Sequence, residues 1–223
     1  MFGCSTHSGY PPLKSSNQTP VAILESQTVA LTTLDEDGAI RAYCSGTWVS
    51  TDTVLTSRHC VAELKLGGAF HIATRDDVFV KDSVSLRKEI WSRETLLVAV
   101  DEDNDLALGR VRNAPKHFFA RLSSYAVQSG QSVQAMGQPV GLWWSYSRGD
   151  IAAIRMIDST MYIQSTIPIS PGSSGCGLFD NEGALIGVAR GSHKRGQNLN
   201  IFVHTQHLAA FLKGRTSGAL VAP

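Results

Sequence analysis

What this chain lacks narrows it before anything it contains. No stretch of eighteen consecutive apolar residues occurs, which leaves no candidate for a membrane-spanning helix. Charge of one sign is not in excess either. Lys and Arg number 20 against 19 Asp and Glu, a net of +1, so no nucleic-acid partner is expected, and the short basic patch His193-Lys194-Arg195 reads as a solvated loop. The four cysteines show no C-x-x-C spacing and no His/Cys cluster, which argues against structural zinc; neither a metal nor a cofactor is expected. The first twenty residues lack a charged start and an apolar centre, so they are not a secretory signal as written. Helical periodicity is scarce as well. It is confined to 207–214, where apolar residues at helical spacing end in a glycine.

What is present is a succession of short β-like runs separated by turn residues. They lie near 27–33, 39–50, 53–57, 69–73, 78–81, 86–91, 95–100 and 106–112, and again near 131–137, 142–154, 160–167, 176–179, 184–190 and 198–204. A hydrophobic content of 43% over 223 residues is enough to bury a sizeable core. Residues 1–19, rich in Ser, Pro and Gly, read as a flexible N-terminal arm.

The chemistry concentrates in three places. The run Ile169-Ser170-Pro171-Gly172-Ser173-Ser174-Gly175-Cys176-Gly177 sets a serine among glycines just before an apolar strand. A serine is a weak nucleophile until a base, an orienting carboxylate and donors for an oxyanion are supplied. Gly172 and Gly175 accept left-handed backbone, so the N–H groups of Gly172 and Ser174 can converge on one point. His59 follows the strand-like Thr53-Val54-Leu55-Thr56-Ser57 and is placed to act as base. Asp105, the last carboxylate of Asp101-Glu102-Asp103-Asn104-Asp105, borders the apolar Leu106-Ala107-Leu108 and is placed to orient it. Taken singly each has a bland reading: turn material, a satisfied surface histidine, a solvated acidic loop.

Together, Thr-Ser-Arg-His-Cys, Asn104-Asp105-Leu106-Ala107-Leu108 and Gly172-Ser173-Ser174-Gly175 resemble the trypsin-like (chymotrypsin-fold) serine proteases. The order His, Asp, Ser is that family's; the subtilisin order begins with Asp and the α/β-hydrolase order with Ser. The resemblance covers roughly residues 20 to 214. It implies an all-β fold of two packed six-stranded antiparallel barrels, 20–122 carrying His59 and Asp105 and 123–206 carrying Ser174, with a C-terminal helix and tail over 207–223. The first eight runs would form the first barrel and the other six the second, with residues 123–130 as the crossing.

The same resemblance implies a catalytic triad of His59, Asp105 and Ser174, an oxyanion hole of Gly172 and Ser174, and substrate contacts at Ile169, Ala189, Arg190, Gly191 and Asn200. Protein or peptide substrates are the implied partners. Cys44 and Cys60 lie on neighbouring runs, and a cysteine pair around the histidine is common in the family, which implies a Cys44–Cys60 disulfide and favours an extracytoplasmic or secreted setting. Nothing pairs Cys4 with Cys176. Ser173 stands where zymogen-type members carry aspartate, and no Ile-Val-Gly-Gly-like sequence occurs in the first forty residues, so activity without N-terminal cleavage is expected. The style of the serine motif is nearest to Deg-type, glutamyl-endopeptidase-like and viral members. Alternatives left open are a viral polyprotein-processing protease, a catalytically silent peptide binder and a non-proteolytic esterase.

Overall fold

The computed structural model describes residues 21–80, 88–192 and 199–216. The N-terminal arm, the basic patch at 193–195 and the last seven residues lie outside them. Among the described residues fourteen strands are present: β1 (Thr28–Leu34), β2 (Ile40–Trp48), β3 (Thr53–Ser57), β4 (Ala69–Ala73), β5 (Val78–Val80), β6 (Lys88–Ile90), β7 (Arg93–Asp101), β8 (Leu106–Val111), β9 (Ser132–Gly137), β10 (Ser145–Ile157), β11 (Thr160–Ser165), β12 (Gly177–Phe179), β13 (Leu185–Ser192) and β14 (Asn200–His204), with helices α1 (Val21–Gln27) and α2 (Thr205–Leu212). Six strands close one antiparallel barrel in the order β1, β2, β3, β8, β7, β4. Six more close a second in the order β10, β11, β14, β13, β12, β9. The chain is therefore all-β with a C-terminal helix, as the sequence implied.

Several strands are buried on both faces, and the two-residue period of a strand explains how. On β3 and β8, Val54 and Ala107 fill the first barrel with Trp48, Phe70 and Ile72. The alternate residues Leu55, Leu106 and Leu108 point the other way, into a core shared with Met136, Phe179, Leu185 and Val188 of the second barrel's strands. Such strands read as unbroken apolar runs rather than as alternation. The second barrel has its own interior of Val133, Ile151, Ile163, Leu178, Ile186 and Phe202. One continuous apolar seam thus joins the barrels, and α2 closes it with Leu208, Phe211 and Leu212.

Three details differ from the sequence reading. Eight runs were assigned to the first barrel, but β5 and β6 pair only with each other, Val78 opposite Ile90. The barrel has no edge for them, because β4 already bonds both β1 and β7. Helix α1 was not expected. A seven-residue helix has no stability of its own, and this one is held by Leu24, fully buried in the shared core. The run at 142–154 begins as a strand only at Ser145; before it Val140, Gly141 and Trp144 form a turn with φ of 45°, 76° and 51°.

Candidate active site

Asp105 owes its position to a turn. Asp101 accepts from the Asn104 N–H and side-chain amide at 3.0 and 2.8 Å, and Asp105 itself lies in the left-handed region at φ 56°, which aspartate tolerates better than most residues. The turn aims its carboxylate at the one-turn 3₁₀ segment Arg58–Val61. There Asp105 Oδ1 accepts the His59 backbone N–H at 2.8 Å and Oδ2 bonds the ring Nδ1 at 2.7 Å. The Asp105 carbonyl also accepts the Arg58 N–H at 2.9 Å. Backbone and ring of His59 are thus gripped by one side chain. A carboxylate oxygen only accepts, so the shared proton belongs on Nδ1 and the lone pair of Nε2 is left outward. The His59 side chain is 46% exposed, open to solvent.

The segment bearing Ser174 packs by close backbone contact against the strands that lead to this histidine. Gly175, at φ 86°, lies where a Cβ would stand 2.1 Å from the Ser45 carbonyl oxygen and 2.3 Å from Thr56 Oγ1, on strands β2 and β3. No other residue permits that approach. Ser45 N–H donates to the Ser174 carbonyl at 2.8 Å. Cys60 Sγ lies 3.8 Å from the same oxygen, a contact only, since a disulfide sulfur carries no hydrogen. The Cys44–Cys60 disulfide is formed across 6.2 Å between Cα atoms and ties β2 to the turn holding His59. Ser57 Oγ–H donates to the Ala189 carbonyl at 2.8 Å and joins β3 to β13 two residues before the histidine.

Backbone donors around the serine divide into two sets. The N–H groups of Ser173, Gly175 and Cys176 are bonded to Ser170, Ala189 and Ser173 carbonyls at 2.9, 2.9 and 3.0 Å. Among the described residues the N–H groups of Gly172 and Ser174 have no acceptor. Their directions follow from the carbonyls of the same trans peptides. Pro171 C=O is taken by the Val140 N–H at 2.6 Å and Ser173 C=O by Cys176, so the N–H at the other end of each plane points the opposite way. The Ser174 hydroxyl has no hydrogen-bond partner among the described residues. Beside it, the free Cys176 thiol is pushed up to about 12 by burial, which removes it as a nucleophile.

Of the residues expected to contact substrate, Ile169 and Ala189 join the apolar interior formed by Ile167 and Phe202. Asn200 is buried, and its side-chain amide donates to the Ile167 carbonyl, so the Asn200 donor is engaged within the protein. Arg190 lies at the cleft rim with Nε 3.8 Å from Asp105 Oδ2. It also donates to the Tyr162 hydroxyl and lies over that ring, 5.2 Å from its centroid. Beside it Gly191 is open: a Cβ there would meet nothing within 4 Å. Strand β12 pairs with β13 only as far as Val188, which leaves 190–192 without a neighbour on that edge among the described residues. On the other side of Gly172 an open groove of about 850 Å³ runs between 38–43, Val140, Trp143 and Pro171. Sequence reasoning missed Ser45, Gln138 and Val140, whose ties to the nucleophile loop carry no local signature. The one grouping of metal-type side chains among the described residues is Cys44, His59 and Cys60, and the disulfide leaves it without thiolate ligands.

Two closed six-stranded antiparallel barrels followed by a C-terminal helix define a fold class, and residues 44–188 match the trypsin-like peptidase domain. The chain belongs to that family. The probable periplasmic serine endoprotease DegP-like of Hahella chejuensis is 32% identical over 149 residues, 65% of this chain and 28% of that protein. The chloroplastic protease Do-like 1 of Arabidopsis thaliana is 32% identical over 132 residues, 53% of this chain and 30% of that one. The chain spans less than a third of the length of either curated relative. The fold is also that of the serine endoprotease from Yersinia pestis, with a TM-score of 0.70 at 22% identity, covering 86% of this chain and 64% of that structure. Among the described residues no helix is long and apolar enough to cross a membrane.

Proposed function

We propose that this chain is a serine endopeptidase in which His59, Asp105 and Ser174 act as a triad, and that it works without N-terminal cleavage. The observation that carries the reading is the double grip of Asp105 on His59, which fixes the tautomer a general base needs. His59 Nε2 takes the Ser174 proton as Oγ attacks the scissile carbonyl, and the N–H groups of Gly172 and Ser174 receive the oxyanion. The imidazolium then protonates the leaving amine. Water, deprotonated by the same nitrogen, attacks the acyl carbon and releases Ser174. Residues 20–122 and 123–206 are the halves that supply the two sides of the cleft.

The free edge at 190–192 suits an extended substrate added as a further strand. The pocket for the side chain preceding the scissile bond is assigned to Ile169, Arg190 and Gly191, with the buried Ala189 and Asn200 behind them. The segments 167–170, 188–191 and 198–202 contain no Asp or Glu, which favours an uncharged side chain there. Ser173 offers no charge to a freed terminus, so the loop is held by neutral hydrogen bonds. The test is labelling with a fluorophosphonate: the 223-residue chain is expected to react without trimming, and Ser174→Ala neither to react nor to hydrolyse peptides. Labelling that required removal of residues 1 to 15 would overturn the activation reading. Hydrolysis surviving in Ser174→Ala would overturn the triad.

A further inference from the structure

An oxyanion hole made of backbone N–H groups is only as good as the devices that stop its peptide planes from rotating. In this chain one residue of the first barrel reaches both ends of the nucleophile segment in the second. Ser45, fully buried on β2, donates its N–H to the Ser174 carbonyl at 2.8 Å. Its hydroxyl lies 2.8 Å from the Gly172 carbonyl and 3.0 Å from the Gln138 N–H. A backbone N–H can only donate, so the hydroxyl accepts from Gln138 and its one proton is committed to Gly172. The Ser45 carbonyl in turn accepts the Thr56 hydroxyl at 2.7 Å, which fixes the strand that carries it.

We propose that Ser45 is the positioning residue of the oxyanion loop, holding the peptide planes after Gly172 and Ser174 by a neutral hydroxyl and an amide. The proposal rests on Ser174 being the nucleophile. Ser45 divides the task with Val140, whose N–H holds the Pro171 carbonyl and so the plane before Gly172. Between them the two clamps leave Gly172 N–H no freedom to turn. Charge is not needed, which suits a loop in which an uncharged, buried Ser173 precedes the nucleophile. Without the hydroxyl, the Gly172 carbonyl and Gln138 N–H become buried groups without partners, and the loop relaxes to find others. The cost then falls on the transition state, because the hole matters little to ground-state binding.

The experiment compares wild type, Ser45→Ala and Ser174→Ala for peptide hydrolysis and for inhibition by a peptide aldehyde. The aldehyde takes the serine Oγ at its carbonyl carbon and puts its oxygen into the hole. Ser45→Ala is expected to lose kcat by about 100-fold, the scale of one lost oxyanion donor. KM should move less than about threefold, and aldehyde affinity should fall by the same factor as kcat/KM. A kcat within about threefold of wild type, with Ser174→Ala inactive, overturns the positioning role. So does a loss of kcat with aldehyde affinity unchanged. Turnover persisting in Ser174→Ala overturns the nucleophile assignment and this proposal with it. If Ser45→Ala does not fold, Ser45→Gly, which leaves room for a water where the hydroxyl stood, is judged by the same two criteria.

Discussion

Gly172→Ala separates what the nucleophile loop needs sterically from what it needs for catalysis. Gly172 sits at φ 96°, and a Cβ built there stands 2.2 Å from the Gln138 carbonyl oxygen. Ordinary contact begins at 3.4 Å, so loop or turn must give way by about 1.2 Å. Gly130 provides the control. Its φ is 83°, but its Cβ would meet nothing within 4 Å, so Gly130→Ala suffers the backbone penalty alone. That penalty is roughly 1 kcal/mol, at the low end for a non-glycine residue in this region. At Gly172 a further 1–3 kcal/mol of overpacking adds to it, giving about 2–4 kcal/mol. A displacement near 1 Å at a reacting centre costs on the order of 100-fold. Urea unfolding midpoints and kcat for a fluorogenic peptide, measured on both variants, test the reasoning. Gly172→Ala should lose both stability and about 100-fold in kcat; Gly130→Ala should lose about 1 kcal/mol and keep its kcat. Equal kcat values for the two variants would refute the placement of Gly172 at the hole.

Three further outcomes are expected. Replacing Cys44 and Cys60 together by alanine should cost about 3 kcal/mol, the entropy of a loop of this length, read as a shift in the unfolding midpoint under non-reducing conditions; an unchanged midpoint would show that the bond does not restrain the unfolded chain. Peptide-library profiling should give cleavage after uncharged residues, and dominant cleavage after Arg or Lys would refute the pocket assignment. His204, whose Nδ1 accepts the Gln206 N–H at the start of α2, is held below the ordinary 6.5 by burial first and by His207 second. The unfolded chain therefore binds the proton more readily, and stability contributed by neutral His204 is full above about 6.5 and is lost as pH falls below it through the lower folded value. His204→Asn, which keeps a capping acceptor, should flatten the stability profile between roughly pH 7 and 5; an unaltered slope would assign it to other groups.

The strands were legible because a buried strand needs only local chemistry: β-branched and apolar residues in short runs, closed by turn residues. Their partners were less so, since pairing is a matter of available edges, and β5 and β6 looked like barrel strands until the barrel closed without them. Helix α1 was invisible because its stability comes from Leu24 in a core assembled by both barrels. The proposed triad residues come from a family resemblance in order and flanking types, as does the Cys44–Cys60 pair, which the structure contains.

What the sequence by itself determined was the inventory: an all-β chain, one histidine, one aspartate and one serine in a telling order, glycines where left-handed backbone is required. Only the tertiary structure decided how the serine segment is held. Ser45 reaches Gly172 across 127 residues and Gln138 across 93. No periodicity or spacing can encode a hydrogen bond between chain segments that become neighbours only after two barrels have closed and packed. A buried serine and a strained turn at Val140 look ordinary in one dimension, and acquire their work from the carbonyls that folding sets in front of them.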